Sequence, residues 1–142
     1  MQGKTYSQCT AVFDKAGSSG VDHYFCFVSA LQYVFVRNYN LNCTIRKISL
    51  MHFPTNICVN DYKHIANDAN LTGSLTRGGL SSLVTVGTKE GKVLIYRVDN
   101  NESKLLLKTK SGVVYGSISA LSMQDNGHNF LVGSSTGEVH SF

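Results

Sequence analysis

The chain has 142 residues, 42% hydrophobic and 15% charged, with a formal charge of +4 and a sequence pI near 8.9. That much apolar mass can bury a core and excludes a disordered polar chain. The basic excess is mild, and its densest pair is Arg46-Lys47, which falls short of the clustered field of a dedicated nucleic-acid binder.

Met1-Gln2-Gly3-Lys4-Thr5-Tyr6 carries no apolar run of the signal-peptide kind, and no later segment is long enough for a membrane span. The expected address is therefore cytoplasmic. Thr10-Ala11-Val12-Phe13 reads as a first strand. Tyr24 to Ser29, Tyr33 to Val36 and Cys43 to Ile48 are rich in β-branched and aromatic residues and read as further strands, with Arg37-Asn38-Tyr39-Asn40 as a polar turn. Asp61 to Ala69 breaks this pattern. It reads either as a short helix capped by Asp61 that buries Tyr62, Ile65, Ala66 and Ala69, or as an insertion loop. In either case Asp61, Tyr62, Lys63 and His64 form a possible binding loop, since insertions in repeat proteins are common contact points.

Leu83-Val84-Thr85-Val86 and Val93-Leu94-Ile95-Tyr96 flank Thr88-Lys89-Glu90-Gly91, a tight turn with glycine last, where φ must be positive. Neither strand alternates cleanly between apolar and polar, so both faces of this sheet are expected to be covered. Lys104-Leu105-Leu106-Leu107-Lys108 follows as an outer strand with charged ends. Ile118 to Phe142 then repeats the pattern. Val86, Gly87, Gly91, Val93 and Tyr96 align with Val132, Gly133, Gly137, Val139 and Phe142 at a constant offset of about 46 residues, the distance from Gly91 to Gly137. Further upstream, Ser74-Leu75-Thr76 meets Ala120-Leu121-Ser122 in the same frame. Gly87, Gly91, Gly133 and Gly137 are read as structural turn glycines. Val86, Val93, Ile95, Leu121, Leu131 and Val132 are expected to be almost wholly buried.

On these residues, Leu71 to Val98 resembles a WD-repeat unit, and Ile118 to Phe142 resembles a second one cut short. Tyr96-Arg97 stands at the Trp-Asp position and no Gly-His pair precedes Ile118, so the Asp–His network of such repeats is not carried over. The resemblance implies an all-β fold of four-stranded antiparallel β-propeller blades. About three units are expected, over residues 7–59, 71–109 and 118–142, with an insertion at 60–70. Three units fall below the roughly four to eight blades of closed rings, so the expectation is part of a larger ring. Val139 to Phe142 would then present an open edge unless Thr10 to Phe13 pairs with it.

The motifs that suggest chemistry have simpler readings. Gly87-Thr88-Lys89-Glu90-Gly91-Lys92-Val93 mimics a phosphate-binding loop, but it is one residue short, has Val93 in place of Ser or Thr, and leads into a strand. Cys9, Cys26, Cys43 and Cys58 never form C-x-x-C and read as small apolar side chains. His23, His52, His64, His128 and His140 lack metal-ligand spacing, and Ser134, His128 and Asp125 lie around one turn with no nucleophile elbow. The sequons at Asn42, Asn70 and Asn101 match chance frequency in a chain rich in Asn, Ser and Thr. Neither cofactor nor catalytic set is expected. The leading expectation is a non-catalytic scaffold that binds other proteins, including the rest of a propeller or a larger complex, through blade ends and loops. The alternative is a nucleic-acid-binding β module using Arg37, Arg46, Lys47 and the Lys104, Lys108 and Lys110 group.

Overall fold

A computed structural model describes residues 6–17, 20–29, 32–39, 42–61, 81–99, 102–124 and 129–142. Among them the fold is all-β and antiparallel. The first sheet runs in chain order through β1 (Tyr6–Gly17), β2 (Gly20–Ser29), β3 (Tyr33–Asn38) and β4 (Cys43–Ser49). The second runs through β5 (Pro54–Asp61), β6 (Ser81–Thr88), β7 (Val93–Asp99) and β8 (Ser103–Lys108). The third has β9 (Ile118–Met123), β10 (Phe130–Ser134) and β11 (Val139–Ser141). Each sheet is a meander in which sequence neighbours pair; β5 and β6 do so across residues 62–80, the other pairs across shorter connections.

The sheets stack face to face in chain order. β1 lies alongside β5, and β5 alongside β9. Strand periodicity sends alternate residues of the middle sheet to opposite neighbours. Val84, Val86, Leu94, Tyr96 and Val98 pack with Cys26, Val34, Val36, Ile48 and Leu50 of the first sheet and its following linker. Leu83, Val93 and Ile95 pack with Val114, Ile118, Met123, Phe130 and Val132 on the other side. The near-continuous apolar run in β7 thus has its cause in cover on both faces.

Among the described residues, the third sheet is covered on one face. Phe130 and Val132 are buried, but Leu131 between them is 52% exposed. Leu121 is only half-buried. The expectation of burial at Val86, Val93, Ile95 and Val132 agrees with the structure; at Leu121 it holds only in part, and at Leu131 it is corrected, because no described sheet covers that side of β10.

Strand boundaries also need correcting. Arg37 and Asn38 belong to β3, and the turn comes later, closed by Asn42 N–H donating to Tyr39 O at 3.2 Å, with Asn42 at φ +51°. Residues 54–61 do not end the first unit. They pair with β6 and open the second sheet, so the break in pattern falls between the first and second strands of that sheet. β1 pairs with β2, and among the described residues β11 pairs with β10 alone, so Thr10 to Phe13 does not complete the third sheet. The described sheets form an open stack and do not close into a ring. Tyr62, Lys63, His64 and the segments 65–69 and 71–80 lie outside the described residues.

Candidate interaction surface

The glycines read as turn residues divide into two kinds. Gly91 and Gly137 have φ of +79° and +87° and close equivalent hairpins. In the first, Gly91 N–H donates to Thr88 O and Thr88 N–H to Lys92 O; in the second, Gly137 N–H donates to Ser134 O and Ser134 N–H to Glu138 O. The segment that mimics a phosphate loop is this first hairpin. Gly87 and Gly133 instead lie inside β6 and β10, which corrects their reading as turn residues. They serve close packing: a Cβ at Gly87 would sit 2.5 Å from Ile118 Cγ2, and one at Gly133 would sit 3.3 Å from Ala120 Cβ.

Both hairpins meet the inter-sheet linkers at one end of the stack. Each linker inserts one apolar side chain and turns its neighbours outward. Leu50 is buried while Met51 is 81% and Phe53 49% exposed; Val114 is buried while Val113 and Tyr115 are 39% and 64% exposed. Met51 holds φ +58°, a left-handed backbone that costs a non-glycine residue roughly 1 kcal/mol.

Lys89 ties the two linkers together. Its N–H donates to Phe53 O at 2.8 Å, and its carbonyl accepts from Ser117 Oγ at 3.0 Å. Ser117 exchanges bonds with Ser135, whose N–H donates to Ser117 O and whose Oγ accepts from Ser117 N–H. Thr136 Oγ1 donates to Tyr115 O at 3.2 Å. The exposed apolar residues therefore project from a braced platform.

Charge surrounds this platform. His52 Nδ1 lies 3.8 Å from Glu90. Burial, then the nearby Lys108 and Lys92, hold the His52 imidazole below its usual range, with Glu90 opposing them. The hydrogen bond from His140, at 3.1 Å, leads the effects that hold Glu138 below the usual carboxylate range. Lys89 and Lys110 are exposed on the same hairpin and linker.

No protein-family model and no curated protein matches this chain in sequence. Its surfaces must therefore be read from their own chemistry. Among the described residues, no three His, Cys, Asp or Glu side chains group as metal ligands, and no helix is long and apolar enough to cross a membrane.

Of the basic residues suggested for nucleic acid, Arg37, Arg46 and Lys47 are engaged within the chain. Arg37 donates to Thr44 and Asn42, and Arg46 Nε donates to Asp99 O. Lys47 Nζ sits 4.2 Å above the Tyr33 ring. Lys104, Lys108 and Lys110 are exposed on and just after β8. Asp61 ends β5, and the rest of the possible binding loop is outside the described residues. Of the serine-centred triad, Ser134 Oγ lies 2.7 Å from Thr136 Oγ1 in its own turn, while Asp125 and His128 are outside the described residues.

Sequence reading missed the patch of Met51, Phe53, Val113 and Tyr115. These residues lie in segments without strand periodicity, and their only sequence signal is bulky apolar character between strands. Cys26 and Cys58 are free thiols whose pKa burial raises, Cys26 to about 12. Both pack within the inter-sheet clusters, as small apolar side chains do.

Proposed function

We propose that this protein is a non-catalytic interaction scaffold, built from sheets of the WD-repeat-like propeller kind, that binds other proteins through one end of its sheet stack. The observation that carries the reading is the braced end: Met51, Phe53, Val113 and Tyr115 stand exposed on linkers fastened through Lys89 and Ser117. Large apolar side chains on a fixed platform lose little conformational entropy on binding and suit the centre of a protein interface. Lys89, Lys92, Lys108 and Lys110 outnumber Glu90 and Glu138 around them, which favours a partner segment with apolar anchors and acidic flanks. The stacking of successive meanders, first strand beside first strand, supports the propeller-like part of the reading.

The test is quantitative co-purification with tagged wild-type chain and a Met51→Asp/Tyr115→Asp variant. Both positions are exposed, so the variant should keep its β-sheet circular dichroism while losing the proteins that wild type retains. Equal recovery by both chains would remove this surface from consideration.

A further inference from the structure

At the platform end, the second sheet sets two lysines close together. Lys108 pairs with Leu94 across β7 and β8, so both side chains leave the same side of the sheet. Lys92 stands two residues before Leu94 and shares that side by strand period. Leu94 is buried against the first sheet and against Leu50 of the linker that follows it, so both lysines lean towards that linker. Their backbone is fixed: Thr109 N–H donates to Val93 O, Val93 N–H to Thr109 Oγ1, and Lys92 N–H to Thr88 Oγ1. Diagonal neighbours on a sheet lie roughly 7–8 Å apart, and like charges held in this way repel.

His52 completes the group from the linker. It stands between the exposed Met51 and Phe53, and its Nδ1 lies 3.8 Å from the Glu90 carboxylate, with side-chain exposures of 15% and 41%. Among the described residues, Lys108 of β8 and Glu90 and Lys92 of the hairpin are the charged groups that act on it. Two ammonium groups and an imidazole thus share one carboxylate. At 3.8 Å Glu90 is beyond hydrogen-bond reach of His52, and it is carried on a half-exposed hairpin tip. It marks the chemistry that this corner accepts without filling it.

We propose that His52, Lys92 and Lys108 form a carboxylate-recognition site, which seats an acidic side chain of the partner in place of Glu90. The proposal rests on the scaffold reading and deepens it, because acidic flanks of a segment anchored at Met51 and Phe53 meet this corner. A cluster of like charges beside a partly buried imidazole is costly to hold in the free chain, which is the mark of a group arranged for a ligand.

Occupancy is linked to a proton. Burial, then the two lysines, hold the His52 imidazole below its usual range while the site is empty. An incoming carboxylate adds the opposite charge and favours the imidazolium. Binding therefore takes up a proton from solvent, and it tightens as pH falls below about 6.5. Removing Glu90 frees the position that the incoming carboxylate takes.

Tetraglutamate blocked at both ends is the probe, since it carries carboxylates and no apolar side chain. On the whole chain, the His52 imidazole proton is followed by NMR and assigned by its loss in His52→Gln. Peptide up to about 10 mM covers the affinity of a site of this size and should raise the His52 titration midpoint. Binding should be at least about threefold tighter near pH 5.5 than near pH 7.5, and His52→Gln should flatten that dependence. Glu90→Gln should tighten binding. Lys108→Gln should weaken it several-fold, whereas Lys104→Gln at the other end of β8 should not, although it removes the same charge. Circular dichroism checks that each variant is folded. An unchanged His52 midpoint overturns the proposal. So does equal weakening by Lys104→Gln and Lys108→Gln, which would mean diffuse attraction. A midpoint that inorganic phosphate moves and tetraglutamate does not would overturn it in favour of a phosphate site. Because the probe has no apolar group, failure here leaves the co-purification test at Met51 and Tyr115 standing, and the two readings fail separately.

Discussion

Ile118 occupies the space that a side chain at Gly87 would need: an ideal Cβ there lies 2.5 Å from Ile118 Cγ2 and 2.8 Å from Ile118 Cβ. This contact joins the second sheet to the third at the first residue of β9. Ile118 is branched at Cβ and buried, so it cannot swing aside. Gly87→Ala should therefore destabilise by about 1–3 kcal/mol through overpacking. Urea unfolding followed by circular dichroism would measure it. Ile118→Ala removes Cγ1 and Cγ2, so it should cost less in the Gly87→Ala chain than in wild type, and a Gly87→Ala chain as stable as wild type would contradict the contact.

Gly91 and Gly137 share a left-handed backbone but differ in surroundings. A Cβ at Gly91 would lie 2.5 Å from Val114 O and 2.7 Å from Gly116 O, both backbone atoms, whereas Gly137 has nothing within 4 Å. Gly137→Ala should cost only the backbone strain, about 1 kcal/mol. Gly91→Ala carries that strain and must also displace the linker, so its loss should be clearly larger. Thermal melts of the two variants side by side test the order, and equal shifts would count against the packing of the linker on the turn.

Leu94 and Leu131 separate burial from residue type. Leu94 is 1% exposed between the first and second sheets, and Leu131 is 52% exposed. Leu94→Ala should cost about 2–5 kcal/mol, as other buried leucines do. Leu131→Ala should stay within about 0.5 kcal/mol of wild type. A large loss at Leu131 would mean that its face is covered.

His52 gives a pH dependence with a definite sign. Burial and the lysines beside it lower its pKa in the folded chain relative to the unfolded value near 6.5. The unfolded chain then binds more protons, so this contribution is present above pH 6.5 and is lost as pH falls below it. The melting temperature of His52→Gln should therefore drop less than that of wild type between about pH 7.5 and about pH 5.5. If the two chains lose the same amount, His52 does not carry this part of the response.

Local pattern made much of the second and third sheets legible. The hairpins at Gly91 and Gly137 follow from a glycine required at positive φ, and the unbroken apolar run of β7 foretold cover on both faces. Signals with range longer than a hairpin were lost. Nothing in Pro54–Asp61 states that this strand pairs with β6 across the intervening segment, because loop-closure cost grows slowly with length and leaves no mark on composition. Gly87 and Gly133 looked like turn residues because glycine is needed both for unusual φ and for close approach, and sequence does not distinguish the two.

The sequence by itself determined the class of structure: antiparallel strands, repeated hairpins at a fixed offset, and a middle sheet apolar on both faces. These are properties of neighbouring residues, fixed by backbone dihedrals and by the two-residue period of a strand. Tertiary structure alone decided which copy of each repeated position is covered. Val93 is fully buried while its counterpart Val139 is 76% exposed, although both are valines after the same turn. The difference lies in what stands opposite: burial belongs to a pair of surfaces, and a strand's own residues state only that it can be covered.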